Sequence, residues 1–142
     1  MLFRSYAAAV RAELARAGLA ERVSLRDVTP DAPTVLAAAD AVLCPSVFEG
    51  LPNVVIEGLA CGTPALVTPA ANVDALVVEG RDGVVCADPS PTAVADGLGR
   101  LLAPDADTVA RMRAAARSHA AARFTVERMA AETLAVYERV LG

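Results

Sequence analysis

The sequence predicts an α/β domain: a Rossmann-like parallel sheet with flanking helices, followed by a helical C-terminal tail. Two observations carry that reading. The runs Ala41-Val42-Leu43-Cys44, Pro64-Ala65-Leu66-Val67-Thr68 and Val84-Val85-Cys86 are apolar, of strand length, and separated by segments of helical periodicity, and strands that alternate with helices build a parallel sheet. From Ser90 onward no strand-like run remains and the pattern is helical throughout. With 142 residues the chain is long enough for one domain with a real core and too short for two.

Taken in order, helical spacing runs over about residues 4–17, with Gly18 where a left-handed cap falls. The alternation Arg22-Val23-Ser24-Leu25-Arg26-Asp27-Val28 predicts a strand. Asp31 and Pro33 open a short helix through residue 39, and the run at 41–44 is of the kind found in sheets covered on both faces. A loop over 45–51 leads to a helix over about 52–61, with Pro52 at its first position and Gly62 closing it. The strand at 64–68, a short helix near 73–78, a turn at 80–83 and the strand at 84–86 follow. Ser90 and Pro91 open a helix toward residue 102, another spans about 106–122, and Thr125 caps a last one through residue 140. There is no internal repeat and no low-complexity linker.

The composition excludes several classes. Hydrophobic residues make up 55% of the chain and the mean hydropathy is +0.44, yet no uninterrupted apolar run reaches the roughly 20 residues that span a bilayer. Arg4, Arg11, Glu13 and Arg16 interrupt the N-terminal segment, which therefore lacks the continuous core of a signal peptide, and a cytoplasmic location is expected. A net charge of -4 and the absence of lysine give no electrostatic reason to bind nucleic acid. The three cysteines, Cys44, Cys61 and Cys86, form no C-x-x-C pair and read as structural thiols. His119, on an alanine-rich helix, is expected at the surface. Arg111, Arg113, Arg117 and Arg123 read as a solvated helix face, with contact to a membrane or a phosphate as the alternative.

The informative stretch runs from Pro45 to Pro64. It starts at the carboxyl end of a predicted strand, where open α/β sheets bind ligands, and a helix start there leaves free amides that favour an anion such as diphosphate. Glu57 falls about one and a half turns into a helix whose other members include Val54, Val55, Ile56, Leu59 and Ala60. A carboxylate buried in that company needs hydrogen-bond donors, and the vicinal diol of a ribose supplies two. Glu49 sits in the loop before the helix, free to reach a second polyol beyond the phosphates, for which a donor sugar is the candidate.

This stretch resembles glycosyltransferase family 4. The shared pattern is two glutamates with seven residues between them after a Pro-Ser loop, here Glu49 and Glu57 after Pro45-Ser46, then a helix of small residues and a Gly-x-Pro step, here Gly62-Thr63-Pro64. Arg22-Val23-Ser24-Leu25, Ala39-Asp40-Ala41, Gly80-Arg81-Asp82-Gly83 and Phe124-Thr125 resemble other landmarks of the family. Pro52, the segment Pro69-Ala70-Ala71-Asn72-Val73-Asp74, and Asp27 at the expected base-edge loop depart from its usual glycine-rich pattern.

The resemblance implies an incomplete C-terminal, donor-binding domain of a retaining GT-B glycosyltransferase. The acceptor domain and the first strands of the donor domain, with their phosphate-binding basic residues, are expected to precede residue 1. Glu49 is then the catalytic carboxylate on the transferred sugar, Glu57 holds the ribose, and Ser46, Gly50, Leu51, Asn53 and Val54 line the sugar and diphosphate. Retention by front-face substitution makes Glu49 a stabiliser rather than a covalent nucleophile, and neither a metal nor a cofactor is expected. The implied partners are a nucleotide-diphosphate sugar and an unidentified glycan, lipid or small-molecule acceptor. A bare edge at 41–44 predicts self-association and no transfer by this chain alone. The alternative is a non-catalytic sugar-nucleotide-binding or interaction module. A dinucleotide oxidoreductase is disfavoured, since no G-x-G-x-x-G follows a first strand.

Overall fold

The structure is a computed structural model that describes residues 2–26 and 28–142. Asp27, and with it the expectation for the base-edge loop, lies outside the described residues. The chain divides into two compact units, Met1–Pro30 and Asp31–Gly142.

In the first unit α1 spans Leu2–Arg16. It ends as expected in a left-handed Gly18 (φ 68°), with the Gly18 amide on Ala15 O at 3.1 Å and the Leu19 amide on Leu14 O at 2.8 Å, the paired bonds that close a helix end. The strand predicted at 22–28 is not observed among the described residues. The amides of Arg22 and Val23 turn back onto Leu19 O, and α1 is the only regular element described in this unit, so the alternating segment has no neighbour with which to build a ladder.

The second unit contains a parallel sheet of β1 (Val42–Cys44), β2 (Ala65–Val67) and β3 (Gly83–Val85), in spatial order β1-β2-β3. Its register places Cys44, Val67 and Val85 together at the carboxyl end. Around it lie α2 (Ala32–Ala38), α3 (Asn53–Ala60), α4 (Pro91–Leu102), α5 (Ala106–Arg123) and α6 (Val126–Leu141). Alternate strand residues feed two cores. Val42, Cys44, Ala65 and Val67 join Val55 and Leu59 of α3 and Ala116 and Ala120 of α5, while Leu66 and Val84 join Cys86, Leu101 and Met112. Cover on both faces, expected for 41–44, holds for β2 and fails for β1. Helix α4 packs on β2 and β3, so Leu43 of β1 is left 43% exposed.

The short helix expected near 73–78 is replaced by two 3-10 turns, Pro69–Ala71 and Val73–Ala75. Asn72 explains the substitution: its side chain accepts from the Val77 amide at 2.7 Å and donates to Val77 O at 3.2 Å, bracketing the segment before a helix can propagate. Asp74 and Ala75 are left at positive φ.

Two further expectations fail on α5. His119 is buried and its Nδ1 lies 2.8 Å from Oδ2 of the fully buried Asp82, whose Oδ1 accepts from the Val78 amide at 2.8 Å. The spacing Met112, Ala116, His119, Ala120 puts the histidine on the buried face of the helix. The arginines are engaged rather than solvated. Arg113 donates to Ala37 O and Ala39 O at the end of α2, and Arg117 to Cys61 O at the end of α3. Arg123 donates to Ala75 O and to Asp74. Arg111, bonded to Thr108 of its own helix, and Arg117 stay on an exposed face, as expected. Cationic side chains thus meet carbonyls that helix ends leave unpaired.

The three cysteines are free, with Cys44 and Cys86 buried. Burial pushes the Cys86 thiol upward, with nearby Arg100 opposing, as fits a structural thiol. Among the described residues no helix is long and apolar enough to cross a membrane.

Candidate functional site

The site is built where β1 and β2 end. The Thr68 amide reaches Cys44 O at 3.4 Å, one step past the last paired residues, and the Thr68 hydroxyl donates to Ser46 O. That tether bends the loop after β1 back over the sheet. Ser46 Oγ then donates to Oε1 of Glu49 at 2.8 Å, and Cys44 Sγ lies 3.7 Å from the same oxygen. Glu49 is half-buried and held by one oxygen, while among the described residues its Oε2 has no hydrogen-bond partner. Val47 (76%) and Phe48 (87%) stand exposed beside it, as do Gly50 and Leu51.

Helix α3 starts bare. Pro52 is its N-cap, one position earlier in the helix than expected, with φ -73° and ψ 97° and no side-chain capping bond. Its carbonyl accepts from the amides of Val55 and Ile56, and among the described residues the amides of Asn53 and Val54 have no acceptor. By contrast the side chains of Asp31, Ser90, Asp105 and Thr125 each accept an amide at the start of α2, α4, α5 and α6. Free amides at a helix start carry the positive end of the helix dipole.

Glu57 corrects an expectation. It is exposed, not buried, because α3 turns Val55, Gly58 and Leu59 inward and leaves Asn53, Val54 and Glu57 on the opposite, exposed side. Among the described residues no side chain pairs with its carboxylate. The carboxyl end of the sheet therefore presents an anchored carboxylate, a bare helix start and, one turn on, a free carboxylate.

Sequence reasoning missed a neighbouring groove of about 700 Å³ whose walls include Leu51, Asn53 and Ile56 of the α3 region, Asp74, Arg123 and Met129. Its cations are paired, Arg123 with Asp74 and Arg128 with Glu132. The signal lay in Arg123 and Phe124 at the junction of two helices, where the ring packs on the core and the guanidinium lies 5.4 Å above it. Among the described residues no group of three or more His, Cys, Asp or Glu could hold a metal ion.

A three-stranded parallel sheet with flanking helices matches the Rossmann-like C-terminal domain of GT-B glycosyltransferases. The Anabaena HepE crystal structure in complex with UDP superposes with a TM-score of 0.81 at 26% identity, over 94% of this chain and 37% of that one. Residues 4–104 match the family described as Glycosyl transferases group 1, and the chain belongs to that family. Among curated relatives, the D-inositol 3-phosphate glycosyltransferase of Corynebacterium urealyticum is 36% identical over 104 residues, covering 73% of this chain and 24% of the relative. The 2-deoxystreptamine glucosyltransferase of Streptomyces kanamyceticus is 32% identical over 135 residues, covering 94% of this chain and 35% of the relative. The chain thus spans about a quarter to a third of the length of these relatives.

Proposed function

We propose that this chain supplies the donor-binding side of a retaining glycosyltransferase, which moves a sugar from a nucleoside-diphosphate sugar to an acceptor held outside residues 1–142. The observation that carries the reading is the uncapped start of α3, the one side-chain-free cap among the α-helices whose N-caps are described. In this reading the diphosphate takes the place of the missing cap on the amides of Asn53 and Val54. Glu57, exposed and unpaired, accepts from the two hydroxyls of the ribose. Glu49 turns Oε2 toward hydroxyls of the sugar, and the backbone of Gly50 and Leu51 lies along it. The anomeric carbon–oxygen bond to diphosphate breaks as the acceptor oxygen bonds on the same face, and the acceptor proton passes to the departing phosphate. Amides fixed at the helix start stabilise the charge that develops there.

The crystallised complexes of Anabaena HepE with UDP and with UDP-glucose support these two as probes. Titration of the chain with UDP, followed by NMR, is expected to show binding that Glu57→Ala weakens about tenfold, the low end for hydrogen bonds to a charged group because Glu57 is exposed. Equal affinity in the variant and the parent overturns the ribose assignment. Binding is also expected to survive EDTA, and a strict requirement for magnesium or manganese overturns the metal-free arrangement.

A further inference from the structure

We propose that Thr68 is a positioning residue for Glu49, acting from the end of β2 through Ser46. The proposal deepens the donor-binding reading by naming what holds the sugar-facing carboxylate. Thr68 is fully buried, in a place where valine would pack as well, and its hydroxyl has a forced orientation. Its oxygen accepts from the Ala71 amide at 3.3 Å, so its only proton is left for Ser46 O. This bond lies beyond the ladder, whose last paired residues are Cys44 and Val67. It therefore fixes a loop that backbone pairing no longer reaches.

Ser46 passes the constraint on. With its carbonyl pinned, its hydroxyl donates to Oε1 of Glu49 at 2.8 Å, and the buried Cys44 thiol, 3.5 Å from Ser46 Oγ, donates to the same oxygen at 3.7 Å. One carboxylate oxygen is thus held inward and the other is left to face a ligand. The rigid sheet locates the carboxylate through the Thr68 and Ser46 hydroxyls, with the Cys44 thiol as a weaker third donor, although Glu49 itself stands on a loop.

The test compares the parent with Thr68→Val, which keeps shape and removes the hydroxyl, Thr68→Ser, which keeps the hydroxyl, and Ser46→Ala, which removes the last bond. In chains labelled with carbon-13 glutamate, the side-chain carboxyl resonance of Glu49 is expected to move in Thr68→Val and Ser46→Ala and to stay in place in Thr68→Ser. In the ligand arm, the preference for UDP-glucose over UDP is expected to fall at least about fivefold in Thr68→Val and Ser46→Ala, with affinity for UDP itself unchanged in Thr68→Val. A Glu49 resonance coincident with the parent in either hydroxyl-free variant overturns the proposal, so Ser46→Ala decides it if Thr68→Val does not fold. A parent that binds neither UDP nor UDP-glucose overturns the donor-binding reading instead, and the carboxyl resonances still decide the positioning role.

Discussion

At its carboxyl end α3 has partners for most of the carbonyls it turns out: the Gly62 amide bonds Leu59 O at 2.9 Å, the Thr63 amide bonds Gly58 O at 2.8 Å, and Arg117 donates to Cys61 O. At its amino end Pro52 offers no side-chain acceptor, and the first amides face outward unpaired. The same division runs through the whole layer. The pole where helices end and strands begin is closed by Arg113, Arg117, the Thr63 hydroxyl on Leu36 O at 2.6 Å and the His119–Asp82 pair. The pole where strands end carries Glu49, Glu57 and the bare helix start. Stability is concentrated at one pole and unsatisfied hydrogen-bonding capacity at the other, which is where a ligand can supply what the chain does not.

If that division is right, the largest stability loss comes from the closed pole. His119→Ala leaves the buried Asp82 carboxylate short of a partner and is expected to cost roughly 3 to 5 kcal/mol in urea unfolding. A loss within that of an ordinary surface substitution, about 0.5 kcal/mol, breaks the comparison. Next comes Gly62→Ala. Gly62 has φ +76°, and a Cβ there would lie 2.6 Å from the Arg117 guanidinium carbon, so about 1 to 3 kcal/mol is expected, with affinity for UDP unchanged.

The open pole is sharpened by giving it what the others have. Pro52→Asp supplies an acceptor like Asp105 and is expected to raise stability by about 1 kcal/mol while weakening UDP binding, because a carboxylate then occupies the amides. A variant that gains stability and binds UDP as the parent does would separate the helix start from the site. The smallest effect concerns acid. The Asp105 carboxyl is held below its usual range by the bond from the Thr108 amide. Its lowered value means the contribution is complete above the ordinary aspartate value near 3.9 and disappears as pH falls through the lower folded one. Melting of the parent and of Asp105→Asn is expected to converge across that acid window, whereas α3 offers no capping group to titrate.

The fold was readable wherever local chemistry decides alone. The caps Asp31, Ser90 and Thr125, the stop at Gly62 and the three apolar runs sit where the pattern put them. Readings that depended on partners distant in sequence fared worse. Alternation at 22–28 describes a surface suited to a strand but cannot supply the second strand. The arginines of α5 look solvated on a helical wheel, because the carbonyls they bond belong to α2, α3 and the turn at 73–75. His119 misled for the same reason, its partner lying 37 positions away. The placement of Glu49 in the loop after a strand and of Pro52 and Glu57 at and within the helix that follows was readable from the pattern. The burial inferred for Glu57 was wrong because a helix with many apolar residues still has an outer side, and Glu57 lies on it.

Gly58, beside Glu57, has a reach beyond its own position. A Cβ there would meet Cγ2 of Val42 at 2.7 Å, so α3 rests against β1 at a separation only a missing side chain permits. An eight-residue helix moves as one body, and a methyl group at Gly58 acts as a wedge under it, tilting the far end. The displacement would surface at Asn53 and Val54 rather than at the wedge. In a scan of every position by growth or activity, Gly58 would therefore score among residues that touch ligand, though it faces the sheet and packs on Val42.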